Sequence, residues 1–296
     1  MNFREIVASF AKKHEIIAGI CDAAPIDPCR LLQSDFTPFV SSDIKKRTDP
    51  TASLKHVKSI VAIGVPHTCI KNCVSENTST ENTAQLSSLG TTEDYHTIVK
   101  TQLRKLKEEL PPQTKSKILV DSPTLDERAF AHRAGIGFFG RNGLLISPKF
   151  GSRFNVGLLL TSIPFTPAEQ TQQNTPAQSC PPNCKLCITT CPTNALKSNG
   201  LDVSRCISYL TQKDDLTTEE KLQLNNQLYG CDICQDICPF NQPQEKHHIN
   251  PKEWLTINDE TFTKKYGTTA MLWRGTKILR RNAQAAIQMN IIPKKR

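Results

Sequence analysis

The sequence predicts an α+β protein, on three observations. Apolar, strand-like runs alternate with amphipathic stretches over residues 1–163, the pattern of an α/β or α+β domain. Eight of the twelve cysteines then fall between positions 180 and 238. Beyond them lies a short basic segment of helical character. The expected organisation is a first domain over 1–163, a linker over 164–179, a cysteine-rich domain over 180–243 and a C-terminal segment over 244–296.

The first domain is read element by element. Residues 2–14 place Phe3, Ile6, Val7 and Phe10 on one face of a helix. Residues 16–20 form a short strand, and Cys21 and Cys29 beyond it read as ordinary small side chains rather than ligands. Residues 59–65 are apolar enough for a strand buried on both faces, closed by Pro66. The stretch 72–92, rich in Ser, Thr and Asn, reads as a long loop. Residues 93–110 predict a charged helix, 117–120 a strand ending at Asp121, and 124–134 a helix stopped by Gly135. Residues 144–146 and 155–160 supply two late strands. The Pro-, Thr- and Gln-rich run 164–178 has a linker composition.

Composition narrows the function classes. No apolar run approaches the ~18–20 residues of a membrane span, and Met-Asn-Phe-Arg-Glu-Ile at the start lacks the apolar core of a signal peptide. A cytoplasmic protein is expected, in which cysteines serve as metal ligands before disulfides. Net charge is +9, and residues 252–296 carry ten Lys/Arg against three acids. This balance favours an anionic partner such as nucleic acid.

The cysteines read Cys180-Pro-Pro-Asn-Cys184-Lys-Leu-Cys187-Ile-Thr-Thr-Cys191-Pro192, then Cys206, then Cys231-Asp-Ile-Cys234-Gln-Asp-Ile-Cys238-Pro239. Each half ends in Cys-x-x-Cys-x-x-x-Cys-Pro, the bacterial ferredoxin pattern for two [4Fe–4S] clusters. Three closely spaced thiolates wrap one cube, and the Cys before Pro reaches the neighbouring cube. Cluster one is assigned Cys180, Cys184, Cys187 and Cys238; cluster two is assigned Cys191, Cys206, Cys231 and Cys234. Two Cys₄ zinc sites would use the same eight residues, but zinc requires neither the Pro nor the three-residue gap.

Two further stretches carry chemistry. Gly135-Ile-Gly137-Phe-Phe-Gly140 matches the dinucleotide fingerprint but follows a helix and runs into a strand-like segment, the reverse of the required context. Its glycines are expected to let the backbone turn closely against a large flat ligand. Asp121 stands at the carboxyl end of a strand, where ligands of α/β sheets bind. The residue alone reads first as an N-cap for the following helix, a duty Ser122 could share.

Several motifs together resemble epoxyqueuosine reductase. They are Val120-Asp121-Ser-Pro-Thr-Leu-Asp-Glu127-Arg128, Arg133-Ala-Gly-Ile-Gly-Phe-Phe-Gly-Arg141-Asn142, Arg205-Cys-Ile-Ser-Tyr-Leu-Thr211 and Leu228-Tyr-Gly-Cys-Asp-Ile-Cys-Gln-Asp-Ile-Cys-Pro239. Glu93-Asp94-Tyr95-His96 and Arg280-Arg281-Asn282-Ala283 fit the same family.

The resemblance implies a cobalamin-binding first domain, similar to the flavin-reductase-like cobalamin-processing fold, and a dicluster ferredoxin-like domain. It implies reduction of epoxyqueuosine in the tRNA anticodon to queuosine, with electrons from an external donor. On the match Asp121 takes the proton-donor role, which displaces the cap reading. Arg47 resembles a cobalamin contact, against its reading as part of a solvated basic loop, and Ser147 and Ser208 are further candidates for the corrin pocket. Tyr95, His96, Arg141, Arg280 and Arg281 are candidates for substrate or tRNA contact. A monomer without membrane association is expected.

The chain departs from the family pattern in an extra residue between Cys180 and Cys184, in Arg141 for Lys, in Gln227 for Arg and in Leu158 for Glu. It also ends soon after the Arg-Arg-Asn motif, which implies a smaller tRNA surface. Two competing functions are a reductive dehalogenase-like corrinoid enzyme acting on a small molecule and a ferredoxin-like electron carrier. The basic C-terminal segment counts against the first, and the domain of about 160 residues ahead of the cysteines counts against the second.

Overall fold

The computed structural model describes residues 2–29, 39–67, 83–166 and 179–291. The polar stretch 72–82, most of the linker (167–178) and the final basic residues 294–296 lie outside them. The chain folds as two units, residues 1–66 with 96–184 and residues 67–95 with 185–296.

The first unit is organised on a four-stranded antiparallel sheet, in the order Ile17–Asp22, Ser59–Pro66, Phe154–Thr161, Ser116–Leu119. Antiparallel pairing throughout makes this a mixed helix and sheet unit rather than a parallel α/β one. Ser59–Pro66 is central and buried along almost its whole length, which explains its unbroken apolar run. One face packs Ile60, Ala62, Leu158 and Leu160 against Phe130, Ala134 and Ile136. Full burial of a side chain such as Phe130 contributes about 2–3 kcal/mol.

Helix Tyr95–Glu108 buries Val99, Leu103 and Leu106. Its close approach to the sheet depends on Gly157, where a Cβ would lie 2.4 Å from Val99 Cγ1 and 2.9 Å from Leu103 Cδ1. Leu158, the neighbour that departs from the family pattern, is fully buried in the core of the opposite face. Helix Phe3–Lys13 starts with a capping box between Asn2 and Glu5 and buries Phe3, Val7 and Phe10. Cys21 is buried and its Sγ lies 3.7 Å from Phe130 O, with burial pushing the thiol up to about 12; such a thiol is inert.

The glycines 135–140 serve the protein's own packing. Gly135, at φ 78°, ends helix Glu127–Arg133 as expected. Phe138–Phe139 then pairs with Leu145–Ile146 in a hairpin. A Cβ on Gly137 would lie 2.6 Å from Ile146 O, and one on Gly140 2.4 Å from Ile146 Cδ1. The close approach seen at Gly137 and Gly140 is to this hairpin.

The second unit holds a three-stranded sheet in which Ala84–Leu86 is central, parallel to Gln227–Tyr229 and antiparallel to His247–Ile249. The strand Ala84–Leu86 falls in the stretch expected to be loop. Trp254, Phe262, Tyr266, Met271, Leu279, Ala283 and Ala286 complete its core. Helix Gly275–Ile291 packs on helix Pro251–Thr256. Within the cysteine segment, the short helices Leu186–Thr190 and Ile233–Asp236 pack on each other.

Candidate active site and cluster ligands

The strand Ser116–Leu119 delivers the chain through buried Val120 to Asp121. Asp121 adopts φ 51°, in the left-handed region, where Asp and Asn are tolerated better than most residues. The helix it was expected to cap is capped by another residue. Asp126 Oδ1 accepts from Ala129 N at 3.2 Å, and the helix runs Glu127–Arg133. The N-cap expectation for Asp121 is thus corrected, because the chain makes a further turn between strand and helix. Ser122 serves that turn, its Oγ accepting from Thr124 N at 3.3 Å.

The Asp121 side chain is 65% exposed, and its Oδ2 lies 3.5 Å from His96 Nε2. His96 is the second residue of helix Tyr95–Glu108, so Tyr95 and His96 stand at its N-terminal end. The structure therefore brings His96 to Asp121. Glu127, not singled out in the sequence, lies beneath the turn. Its Oε2 accepts from Asp121 N at 3.1 Å and its Oε1 from Ser122 N at 2.7 Å.

Arg47 is on a short helix, Ile44–Thr48, not in a solvated loop. Two backbone bonds tie this segment to the Asp121 turn: Ser41 N donates to Pro123 O at 2.8 Å and Asp126 N to Arg47 O at 3.0 Å. Burial holds the Arg47 guanidinium below its ordinary pKa, and Arg128 adds to that, while the Asp126 carboxylate opposes it.

Ser147 is buried, and its Oγ accepts from Phe150 N at 2.9 Å while its N–H donates to Gly151 O. Its hydroxyl oxygen thus serves a tight turn. Ser208 lies in the second unit, where its backbone N–H bonds to the thiol of Cys206. It is therefore tied to Cys206.

None of the eight cysteines in the 180–238 segment forms a disulfide. Five of them interact electrostatically: Cys231 feels Cys206 and Cys191, and Cys234 feels Cys231, Cys206 and Cys187. Four of these are assigned to cluster two and Cys187 to cluster one. Burial raises Cys206, raises Cys231 to about 12 and raises Cys234 further. Burial also opposes ionisation of Cys191, but the N–H groups of Leu196, Ala195 and Thr193 and the Thr193 hydroxyl outweigh it and lower its pKa. Thiols whose pKa is raised need a strong cationic centre to be thiolates, and cysteines in ferredoxin spacing, none in a disulfide, are a donor set of the chemistry an iron–sulfur cube takes. Cys180 and Cys184 belong to the first unit, and Cys187 and Cys238 to the second.

The arginine candidates are engaged within the protein. Arg141 donates its backbone N–H to Cys180 Sγ at 3.4 Å and its Nη2–H to Pro182 O at 2.7 Å. Arg280 donates to Ile257 O. Arg281 donates to the carbonyls of Leu210, Lys213 and Asp214 and to Asn282 Oδ1. Asn282, fully buried, donates to Thr211 O and Leu228 O, each at 2.8 Å. The Arg-Arg-Asn motif thus braces the segments that flank Cys206 and Cys231. Gln227, which stands where the family has Arg, is buried and donates to Gln85 Oε1 at 2.8 Å.

Comparison with known proteins agrees with these features. The family described as "Epoxyqueuosine reductase QueG, DUF1730" matches residues 47–122, and the "4Fe-4S double cluster binding domain" matches 180–241. An epoxyqueuosine reductase of Staphylococcus aureus is 36% identical over 265 residues, covering 84% of this chain and 68% of the relative. One of Bacillus anthracis is 35% identical, covering 91% and 75%. A crystal structure of epoxyqueuosine reductase with a tRNA-Tyr epoxyqueuosine-modified stem loop superposes with a TM-score of 0.85 at 31% identity, covering 97% of this chain and 81% of that one. A Bacillus subtilis epoxyqueuosine reductase, solved with its catalytic Asp loop swung out of the active site, gives 0.83 at 30% identity with the same coverage. On identity and coverage together, the chain belongs to the epoxyqueuosine reductase family.

Proposed function

We propose that this chain reduces epoxyqueuosine in the wobble position of tRNA to queuosine. The epoxide takes up two electrons and two protons, its two C–O bonds break, an alkene forms and the oxygen leaves as water. The observation that carries this reading is the presence in one chain of the Asp121 turn and of eight cysteines in dicluster spacing, none in a disulfide. Cobalamin, when bound, supplies the reducing metal centre, and two [4Fe–4S] clusters pass it electrons singly from an external donor. Asp121 donates a proton to the departing oxygen, which requires hydrogen-bond reach. His96, 3.5 Å from its carboxylate, orients it. Arg47 holds the corrin side of the site.

Cys180, Cys184, Cys187 and Cys238 ligate one cluster, and Cys191, Cys206, Cys231 and Cys234 the other. Exposed lysines of the C-terminal segment, Lys252, Lys264, Lys265 and Lys277, supply phosphate contacts. Among the described residues no helix is long and apolar enough to cross a membrane. The working unit is a cytoplasmic monomer.

The test is anaerobic reconstitution with iron, sulfide and cobalamin, followed by mass analysis of nucleosides from tRNA that carries epoxyqueuosine. The expected product has lost one oxygen. Unchanged nucleoside from protein holding both clusters and corrin overturns the reading. Protein that holds clusters but retains no corrin would be an electron carrier.

A further inference from the structure

The turn that carries Asp121 meets a buried side chain, that of Glu127. Asp121 leaves its strand at φ 51°, a conformation that backbone preference alone does not favour, and its side chain is 65% exposed with His96 Nε2 3.5 Å from Oδ2. The carboxyl group of Glu127 meets two consecutive backbone donors, Asp121 N on Oε2 at 3.1 Å and Ser122 N on Oε1 at 2.7 Å. Two successive N–H groups converging on one carboxyl group make a directional arrangement. Glu127 is itself fixed. It is the first residue of helix Glu127–Arg133, its N–H donates to Leu125 O, and the Asp126 cap starts the helix immediately before it. That helix packs on the central strands of the sheet.

We propose that Glu127 is the positioning residue of the active site, anchoring the Asp121–Ser122 backbone to the sheet-packed helix so that the Asp121 carboxyl is aimed at the substrate. This rests on the reading of Asp121 as proton donor. Glu127 is only 8% exposed. Burial pushes its carboxyl up to about 8, and the nearby Asp121 and Asp126 carboxylates push the same way, against the pull of the two N–H donors. A buried acid surrounded by acids would be a poor choice for stability alone. Its geometry matches the turn, and the same two donors are the ones that fix Asp121. The other charged groups nearby act through these carboxylates: Arg47 through Asp126 and His96 through Asp121.

The experiment uses the reconstituted full chain on the alkaline side of the Glu127 ionisation, where both oxygens accept. Glu127→Gln keeps the volume but turns one acceptor into an NH₂ that faces an N–H. The expected result is faster amide exchange confined to Asp121 and Ser122, and kcat reduced about tenfold or more with KM for tRNA unchanged. Cluster and corrin content should be intact. In Asp121→Asn the second change Glu127→Gln should add little, because one residue acts through the other. Unchanged exchange and turnover in Glu127→Gln, or fully additive losses in the double variant, overturns the proposal. Should Glu127→Gln lose its clusters, the wild-type amides decide: exchange at Asp121 and Ser122 as fast as in open loops also overturns it. Wild-type turnover in Asp121→Asn is a different failure, that of the donor reading, and the exchange rates still judge the anchor.

Discussion

Arg141 holds the Cys180 loop at two points, by a backbone N–H to Cys180 Sγ at 3.4 Å and by a guanidinium N–H to the carbonyl of Pro182, two residues on, at 2.7 Å. The loop it braces is the one with an extra residue, Cys180-Pro-Pro-Asn-Cys184. A longer loop has more conformations to lose on wrapping a cube, and the guanidinium restricts them. Arg141→Ala leaves the N–H to sulfur bond in place but frees Pro182. Cluster one should then be lost to an iron chelator several-fold faster, with cluster two unaffected. Equal loss rates from variant and wild type, followed by iron release and cluster spectra, would show that the brace is idle.

Reconstituted protein should hold about eight iron and eight sulfide per chain, as two four-iron cubes require. Cys191→Ser should damage cluster two first, although Cys191 follows the Cys184-x-x-Cys187 loop in sequence. Cys191 acts electrostatically on both Cys206 and Cys231. Two zinc per chain with no iron after anaerobic preparation would exclude the cluster assignment.

The cysteine pattern was legible in the sequence because ligand spacing is a local property. So were the strands at 17–22 and 59–66, whose apolar runs are long enough to stand out. Ala84–Leu86 was not, because three residues carry no periodicity and its partners lie more than a hundred residues later. The Asp121 turn was legible as a motif but not as a geometry. Nothing in Asp121-Ser-Pro-Thr-Leu-Asp126 states that the second aspartate, not the first, caps the helix. The arginines at 280 and 281 look like phosphate contacts by charge alone, and only the fold reveals the carbonyls they meet.

Those arginines divide the basic segment into two classes. Arg281→Ala removes donors from the carbonyls of Leu210, Lys213 and Asp214 next to the cysteine loops. It should lower stability by roughly 1–3 kcal/mol and loosen cluster two. Replacing exposed Lys252, Lys264, Lys265 and Lys277 by Gln should instead leave cluster content intact. It should weaken tRNA binding and flatten its salt dependence, because fewer counterions are released. A salt series of binding isotherms checks both. Removal of the chain after Met271 would not make this distinction, since Leu279, Ala283 and Ala286 are core residues.

Glu127 gives the stability of the protein a defined pH dependence. Burial raises its carboxyl from 4.5 to about 8, and the N–H donors of Ser122 and Asp121 only partly offset that. Between these values the folded chain holds a proton that the unfolded chain releases. The stabilisation is complete below about pH 4 and is lost as pH rises toward about 8, at no more than about 1.4 kcal/mol per pH unit. Thermal melts across this window should show wild type declining more steeply than Glu127→Gln, which cannot titrate. Parallel curves would mean that Glu127 is ionised throughout.

Asp121→Asn tests the proposed chemistry directly. Asn is among the few residues that accept φ near 51° without strain, and it keeps the backbone N–H that Glu127 receives. The fold, both clusters, the corrin and tRNA binding should therefore survive. A helix-capping function would survive as well, since Asn and Asp rank together at N-caps, and the cap belongs to Asp126 in any case. Only the transferable proton is removed. Turnover should fall by roughly a hundredfold or more, the scale of a lost general acid, while Asp126→Asn should remain close to wild type. Single-turnover conversion of epoxyqueuosine, compared between the two variants, separates a proton donor from a residue that merely shapes the turn.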